Sequence, residues 1–213
     1  MLENIHWLGH ASFRIENDKT IYTDPIKLKG KPPKADLILI THDHSDHCSP
    51  DDVAKLAKDD TIIVTIAAAA QKLKGDARVV KPGESLVVQG IPIETVPAYN
   101  VSKFRSPGVP FHPKESGHVG FIITVGGVRI YHAGDTDVIP EMDDFEVDIA
   151  LLPVGGTYTM TADEAAEAAN RIQPKVAIPM HHSDIVGSVK DAQRFRDLCE
   201  VEVVILSQEA SIQ

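Results

Sequence analysis

Apolar residues run along this chain in short blocks separated by turn-forming residues. IHWLGHASFRI and KTIYTDP read as strands around an ENDK turn, and DLILITH, apolar at most positions, suits a strand buried on both faces that delivers the chain into His42. After it, SPDDVAKLAKDD places Ser49 at an N-cap, Pro50 at the first helical position and acidic residues in the first turn, which predicts a helix. Residues 41–48 therefore lie in a strand-to-helix loop. TIIVTI, ARVV, SLVV and IPIETVPA continue as strands, with AAAAQKL a short helix between the first two. Residues 99–117 have no period and carry Pro, Gly and Ser, so they read as a long loop of the kind that is usually functional or disordered.

The second half repeats this order. HVGFIITV, a GG turn and VRIYHAG predict a hairpin running into Asp135, and DIALLPVGG another buried strand. Thr161 and Glu164 have capping-box spacing before an alanine-rich helix, KVAIPMHH is a strand ending on two histidines, SVKDAQRFRDLCE reads as a helix and VEVVIL as a closing strand. Both halves run strands first and strand-loop-helix units afterwards. That pattern predicts an α/β chain of two sheets packed face to face with helices outside, an αββα sandwich. At 213 residues and 43% hydrophobic composition, one domain over residues 1–213 is expected.

Composition narrows the partners. A formal charge of −10 argues against a nonspecific nucleic-acid binder or an anionic membrane surface. No export signal or membrane-spanning run is visible, so a soluble, cytoplasmic protein is expected. Cys48 and Cys199 are too few and too far apart for a disulfide framework or a zinc knuckle, and Cys48 reads as a small half-buried thiol.

The chemistry concentrates in THDHSDHCSP, residues 41–50, which holds three of the ten histidines. On extended backbone His42 and His44 can face one site, while Asp46 and His47, adjacent in a turn, can reach a second. Imidazole with carboxylate suits zinc, iron or manganese better than calcium or magnesium. Two-metal hydrolytic centres hold their ions roughly 3.5–4 Å apart, so one such loop can serve both. Asp135 ends a buried strand at a glycine turn, a common place for ligands to be presented, with an ordinary turn aspartate as its alternative.

Thr41-His42-Asp43-His44-Ser45-Asp46-His47 resembles the signature of the metallo-β-lactamase fold superfamily. Asp24 in YTDP, YHAGDTD around Asp135 and PMHH around His181 follow in that superfamily's order, and WLGHASFRI and GGTYTM resemble uncharacterised metal-dependent hydrolases related to ascorbate-6-phosphate lactonase and N-acyl-phosphatidylethanolamine phospholipase D. The resemblance implies the αββα sandwich with its site at one edge of the two sheets. It also implies that His42 and His44 bind a first metal, that Asp46, His47 and His181 bind a second, and that Asp135 bridges them. His181 is preferred to His182 because it directly follows the PM of the strand. Relatives offer a third first-metal histidine where this chain has Asn100, and His112 is its best substitute; His118 reads as a structural residue or one that backs a ligand. Two divalent ions are expected, zinc first, with manganese or iron as alternatives and a single ion if neither His112 nor His118 fills the place.

His10 is expected to line the pocket or to be a satisfied structural histidine, and Asp24 to orient a ligand imidazole. Lys103, Arg105 and Lys114 in the long loop are candidates for gripping a phosphate or carboxylate, or are simply solvated. The function expected is metal-dependent hydrolysis of an ester, lactone, amide or phosphodiester in a small molecule, one with an anionic group if those cations grip it. In it Asp46 accepts a proton, and His112 or Tyr158 stabilises developing charge. The alternative is a non-catalytic metal-binding or scaffold protein, which Asn100 favours. Whether the chain forms a homo-oligomer is left open.

Overall fold

The computed structural model describes residues 1–209. A first sheet has six strands in chain order: β1 (Ile5–Gly9), β2 (Ser12–Glu16), β3 (Thr20–Thr23), β4 (Leu37–Ile40), β5 (Ile62–Thr65) and β6 (Asp76–Val79). The second sheet contains β7 (Ser85–Val88) and β8 (Ile91–Pro97). After a separate two-stranded ribbon, β9 (Phe104–Ser106) and β10 (Val109–Pro110), it adds β11 (Val119–Val125), β12 (Val128–His132), β13 (Ile149–Pro153), β14 (Val176–Met180) and β15 (Glu202–Val203). Each sheet opens with antiparallel pairs and closes with three parallel ones, β3 to β6 and β12 to β15. The repeated order read from the sequence is thus a repeated topology.

The helices follow from local chemistry. α1 (Pro50–Leu56) starts at the Ser49 cap, whose hydroxyl accepts from the Asp52 amide, and α2 (Ala67–Ala70) is the short alanine run. α3 (Ala162–Ile172) carries the Thr161–Glu164 capping box and buries a stripe of alanines that lets it lie close to β13, while α4 (Val189–Leu198) packs on α3 and β14. β4, β13 and β14 are buried at every position, as strands covered on both faces must be. One apolar core draws Phe13, Ile15, Leu37 and Leu39 from the first sheet and Phe121, Ile123, Ile130 and Leu151 from the second. This is the αββα sandwich.

Two local readings change. Residues 5–15 are a hairpin rather than one extended run, because Gly9 (φ 118°) and His10 (φ 50°) turn the chain between β1 and β2. The 99–117 stretch contains the β9–β10 ribbon, stabilised by backbone pairing instead of by a hydrophobic face that periodicity could reveal. Among the described residues no helix is long and apolar enough to cross a membrane.

Candidate metal centre

The site sits where strands of both sheets end. β4 runs into residues 41–47, where the amides of His47 and Cys48 both donate to the His44 carbonyl (3.0 and 2.8 Å) and close a tight turn. β12 leads through Gly134 to Asp135, β14 ends at His181, and the β1–β2 turn presents His10. His10, Asp24 and His181 have φ of 50°, 41° and 58°, a left-handed backbone that costs a residue with a side chain on the order of 1–3 kcal/mol and persists only where the surroundings hold it. The His181 amide donating to the His10 carbonyl (2.9 Å) is one such hold. At Gly134 (φ 62°) a Cβ would come within 3.0 Å of the Thr41 side chain, so glycine lets the Asp135 turn press against the end of β4.

Three sets of candidate ligand atoms result, each within 4.8 Å of one another: His42, His44 and His112; His10, Asp46, His47 and His181; and His42, His47 and Asp135. Asp135 stands between the first two. Its Oδ1 lies 3.1 Å from His47 Nε2 and 3.2 Å from His181 Nε2, and its Oδ2 lies 3.3 Å from His112 Nε2.

Hydrogen bonds behind the rings decide which nitrogens face inward. Asp24 Oδ2 accepts from His47 Nδ1 (2.7 Å) and from the Thr41 hydroxyl (2.7 Å), while its Oδ1 accepts the Thr41 amide (2.8 Å). With its proton committed to Asp24, the Thr41 oxygen accepts from His42 Nδ1 (3.0 Å). One carboxylate therefore sets two tautomers and leaves the Nε2 lone pairs of His42 and His47 facing inward. Asn100 does the same for His112, its Oδ1 accepting from both the backbone amide and Nδ1 of that residue (2.8 Å each). The Asn100 amide group donates in turn to Asp137 (3.0 Å) and to the Tyr158 carbonyl (2.9 Å).

Burial pushes His42 well below the usual imidazole range, and it pushes His112 and His118 down to about 4, so all three are neutral near pH 7. At His47 burial acts the same way, but the Asp135 and Asp24 carboxylates outweigh it and hold the group well above its ordinary value. Burial would raise Asp135 and Asp46, yet their histidine neighbours keep both low: His181 and His47 at Asp135, His10 and His47 at Asp46. The result is a pocket rich in acceptors, with a proton held at His47. His42 Nε2, His47 Nε2, His181 Nε2 and Asp135 Oδ1 are all buried without a hydrogen-bond partner, although Asp135 Oδ1 lies 3.1 Å from His47 Nε2 and 3.2 Å from His181 Nε2. Lone pairs and carboxylate oxygens at such range repel unless a proton or a cation lies among them. Donor type, burial and orphaned atoms together fit divalent metal.

Above the cluster opens a cleft of about 610 Å³ bordered by His44, Asp46, His112 and Asp135, with Phe111, Tyr158 and Ile185 as its more apolar wall and Lys72 and Arg105 as its cations.

The remaining sequence candidates take definite places. Asn100 buttresses His112, its Oδ1 being taken up by the amide and Nδ1 of that residue. His10 comes closer to the cluster than expected, with Nε2 3.3 Å from Asp46 Oδ2 and its ring 3.8 Å from that of His181. His182 turns away and stacks on Trp7 at 4.8 Å. His118 stacks on His42 (4.8 Å), and Cys48 is buried outright, its thiol pushed up to about 11 by desolvation. Of the loop cations, Lys103 pairs with Glu164 (2.7 Å) and Lys114 with Glu141 (2.8 Å). Two supporting residues escaped sequence reading: Thr41, the relay from Asp24 to His42, and Asp137, which holds the Asn100 loop. The DTD repeat at 135–137 was the only signal for Asp137.

Comparison with known proteins agrees with this geometry. Residues 4–181 match the model of the β-lactamase superfamily domain. The chain is similar to a UPF0173 metal-dependent hydrolase of Methanoculleus marisnigri, 34% identical with 97% of this chain and 95% of that protein covered. A crystal structure assigned to a metal-dependent hydrolase of Parabacteroides distasonis superposes with a TM-score of 0.83 at 36% identity, covering 96% of this chain and 93% of the other. Another, assigned to a zinc-dependent hydrolase of the metallo-β-lactamase superfamily from Thermotoga maritima, gives a TM-score of 0.63 at 27% identity over 94% and 96% of the two chains.

Proposed function

The chain belongs to the β-lactamase superfamily and is a metal-dependent hydrolase of the UPF0173 kind, and from that premise we propose a binuclear centre acting on an ester, lactone or phosphodiester bond of a small molecule. One observation carries the binuclear reading: both Asp135 oxygens face imidazole nitrogens at 3.1–3.3 Å, Oδ1 toward His47 and His181 and Oδ2 toward His112. In this reading His42, His44 and His112 would hold one ion and Asp46, His47 and His181 the other, with Asp135 available to both. Zinc is the first candidate, supported by the all-nitrogen-and-carboxylate donor set and by the zinc assignment of the Thermotoga relative, with manganese or iron as alternatives.

Bound divalent ions supply acidity to water near neutral pH and polarise the bond to be cleaved. The chain's own residues do the rest. Asp24 and Asn100 fix the rings, Asp46 in the cleft lining takes the proton released by attacking water and returns it to the leaving group, and His10 holds Asp46 in place at 3.3 Å. Tyr158, in the cleft wall, is the candidate donor to charge developing on the attacked oxygen. Asn100 was the residue that favoured a non-catalytic scaffold, and its role as buttress for His112 removes that support. The free thiols of Cys48 and Cys199 suit a reducing cytoplasm, and the acidic surface suits a partner that is neither nucleic acid nor membrane.

Elemental analysis of the purified chain should find two ions per chain, and a panel of esters, lactones and bis(p-nitrophenyl) phosphate should find turnover that Asp46→Ala abolishes. A single tightly held ion in the wild type, with one more never taken up, would reject the binuclear reading.

A further inference from the structure

The cleft over the metal residues has two cations at its border, and they are not equivalent. Lys72 is engaged: its ammonium donates to the Asp43 carboxylate (2.7 Å) and to the Asp43 carbonyl. Arg105 is exposed, and among the described residues no carboxylate lies within salt-bridge distance of it. In a chain of net charge −10, an arginine left unpaired beside a cleft that contains Asp43, Asp46 and Asp135 stands out. Its guanidinium lies over the Phe111 ring at 5.8 Å from the centroid, and Phe111 packs edge-on against Tyr158 at 4.9 Å. Stacking of this kind steadies the guanidinium plane while leaving its edge N–H groups free for a planar or tetrahedral oxyanion.

We propose that Arg105 is the substrate's anion anchor, so that the substrate is a small molecule carrying a carboxylate or phosphate next to an apolar body seated against Phe111, Tyr158 and Ile185. The assignment rests on the hydrolase reading above and deepens it. Charge is consistent with it: Lys72 cancels Asp43, and two divalent ions would more than offset Asp46 and Asp135, so Arg105 adds to a cleft that is net positive once loaded. Size is consistent with it as well, since about 610 Å³ lies in the range of sites that take drug-sized molecules. Lys103 and Lys114, the other cations of the same loop, are committed to Glu164 and Glu141 and are excluded as anchors.

The test uses the full-length, zinc-loaded protein and three esters of one frame: phenyl acetate, 4-acetoxybenzoate and 4-acetoxyphenyl phosphate. Arg105→Gln should raise KM for the charged esters about tenfold or more, the loss of one charge-assisted pair worth about 1.4 kcal/mol, while kcat and the neutral ester change less than twofold and Arg105→Lys recovers part of the loss. Which charged ester loses more separates carboxylate from phosphate. An unchanged preference between charged and neutral esters in Arg105→Gln overturns the anchor. If the wild type cleaves none of the three, the ester-hydrolase reading fails separately, and the anchor is read from calorimetric affinity for benzoate and phenyl phosphate. There a tenfold weakening in Arg105→Gln upholds it, and equal affinity or no wild-type binding overturns it.

Discussion

At the scale of single residues, the centre depends on side chains that never need to touch a metal. The Asp24 carboxylate makes three hydrogen bonds, two to Thr41 and one to His47, reaches His42 through the Thr41 hydroxyl, and is fully buried. Asp24→Ala frees two imidazoles to rotate and to take the wrong tautomer. Zinc affinity, measured by competition with a chromophoric chelator, should fall roughly 10–100-fold for both ions; a change under threefold would mean that the rings are held by packing alone. Asn100→Ala removes the acceptor from His112 only, so it should weaken one of the two ions by about tenfold and spare the other. The difference between these residues was partly legible beforehand. Asp24 precedes a proline at a strand end in the order the superfamily resemblance supplies, whereas Asn100 acts through a histidine twelve positions on, and sequence spacing could show its mismatch without its new partner.

At the scale of elements, the strand ends were readable and the loop that completes the site was not. β4 and β14 are continuous apolar runs and β12 is half-buried at its first two positions, and each ends within three residues of the one that the sequence reading singled out: His42, then Asp135, then His181. Periodicity reveals a buried strand because burial on both faces demands it. Residues 99–117 bury little, so nothing periodic marks how they fold. What holds them is Asp137, whose carboxylate accepts from the amides of Val101 (2.8 Å), Ser102 (2.7 Å) and Lys103 (3.3 Å), from the Ser102 hydroxyl (3.1 Å) and from Asn100 (3.0 Å). Such a clamp is invisible in sequence because its donors are backbone groups of any residue type. Asp137→Ala should cost about 1–3 kcal/mol in chemical denaturation, since it strands several donors, and should speed amide exchange at residues 101–103 specifically. Unchanged exchange there, with a loss of stability elsewhere, would place the anchor of the loop outside Asp137. The same reasoning explains His10: the hairpin that presents it depends on a positive φ at two adjacent residues, which an eleven-residue apolar run conceals.

At the scale of the whole molecule, the chain concentrates buried histidines where its two sheets meet, and the metal-free fold must bear that arrangement. His112 and His118 have pKa values of about 4 when folded, against an ordinary value near 6.5, and His42 is displaced in the same direction. Between those limits the unfolded chain binds protons that the native state refuses, so native stability falls as pH falls through that window, by about 1.4 kcal/mol per histidine and per pKa unit crossed. His47 has the opposite sign: its folded value is raised, so the stability it adds is fully present below pH 6.5 and lost as pH rises through the folded value. Below pH 6.5 it is protonated in both states and does not offset the loss. Urea unfolding of metal-free protein should therefore show lower stability at pH 5 than at pH 7, and a flat or rising profile over that interval would contradict the burial of these rings. Metal reverses the balance, because a cation replaces the proton that His47 holds among the facing acceptors. Saturating zinc should then raise stability by about 4 kcal/mol at a thousandfold excess over Kd, with the gain larger at pH 7 than at pH 5 and accompanied by proton release in calorimetry across buffers of different ionisation enthalpy. A gain independent of pH and without proton release would place the ion somewhere other than between Asp135 and His47.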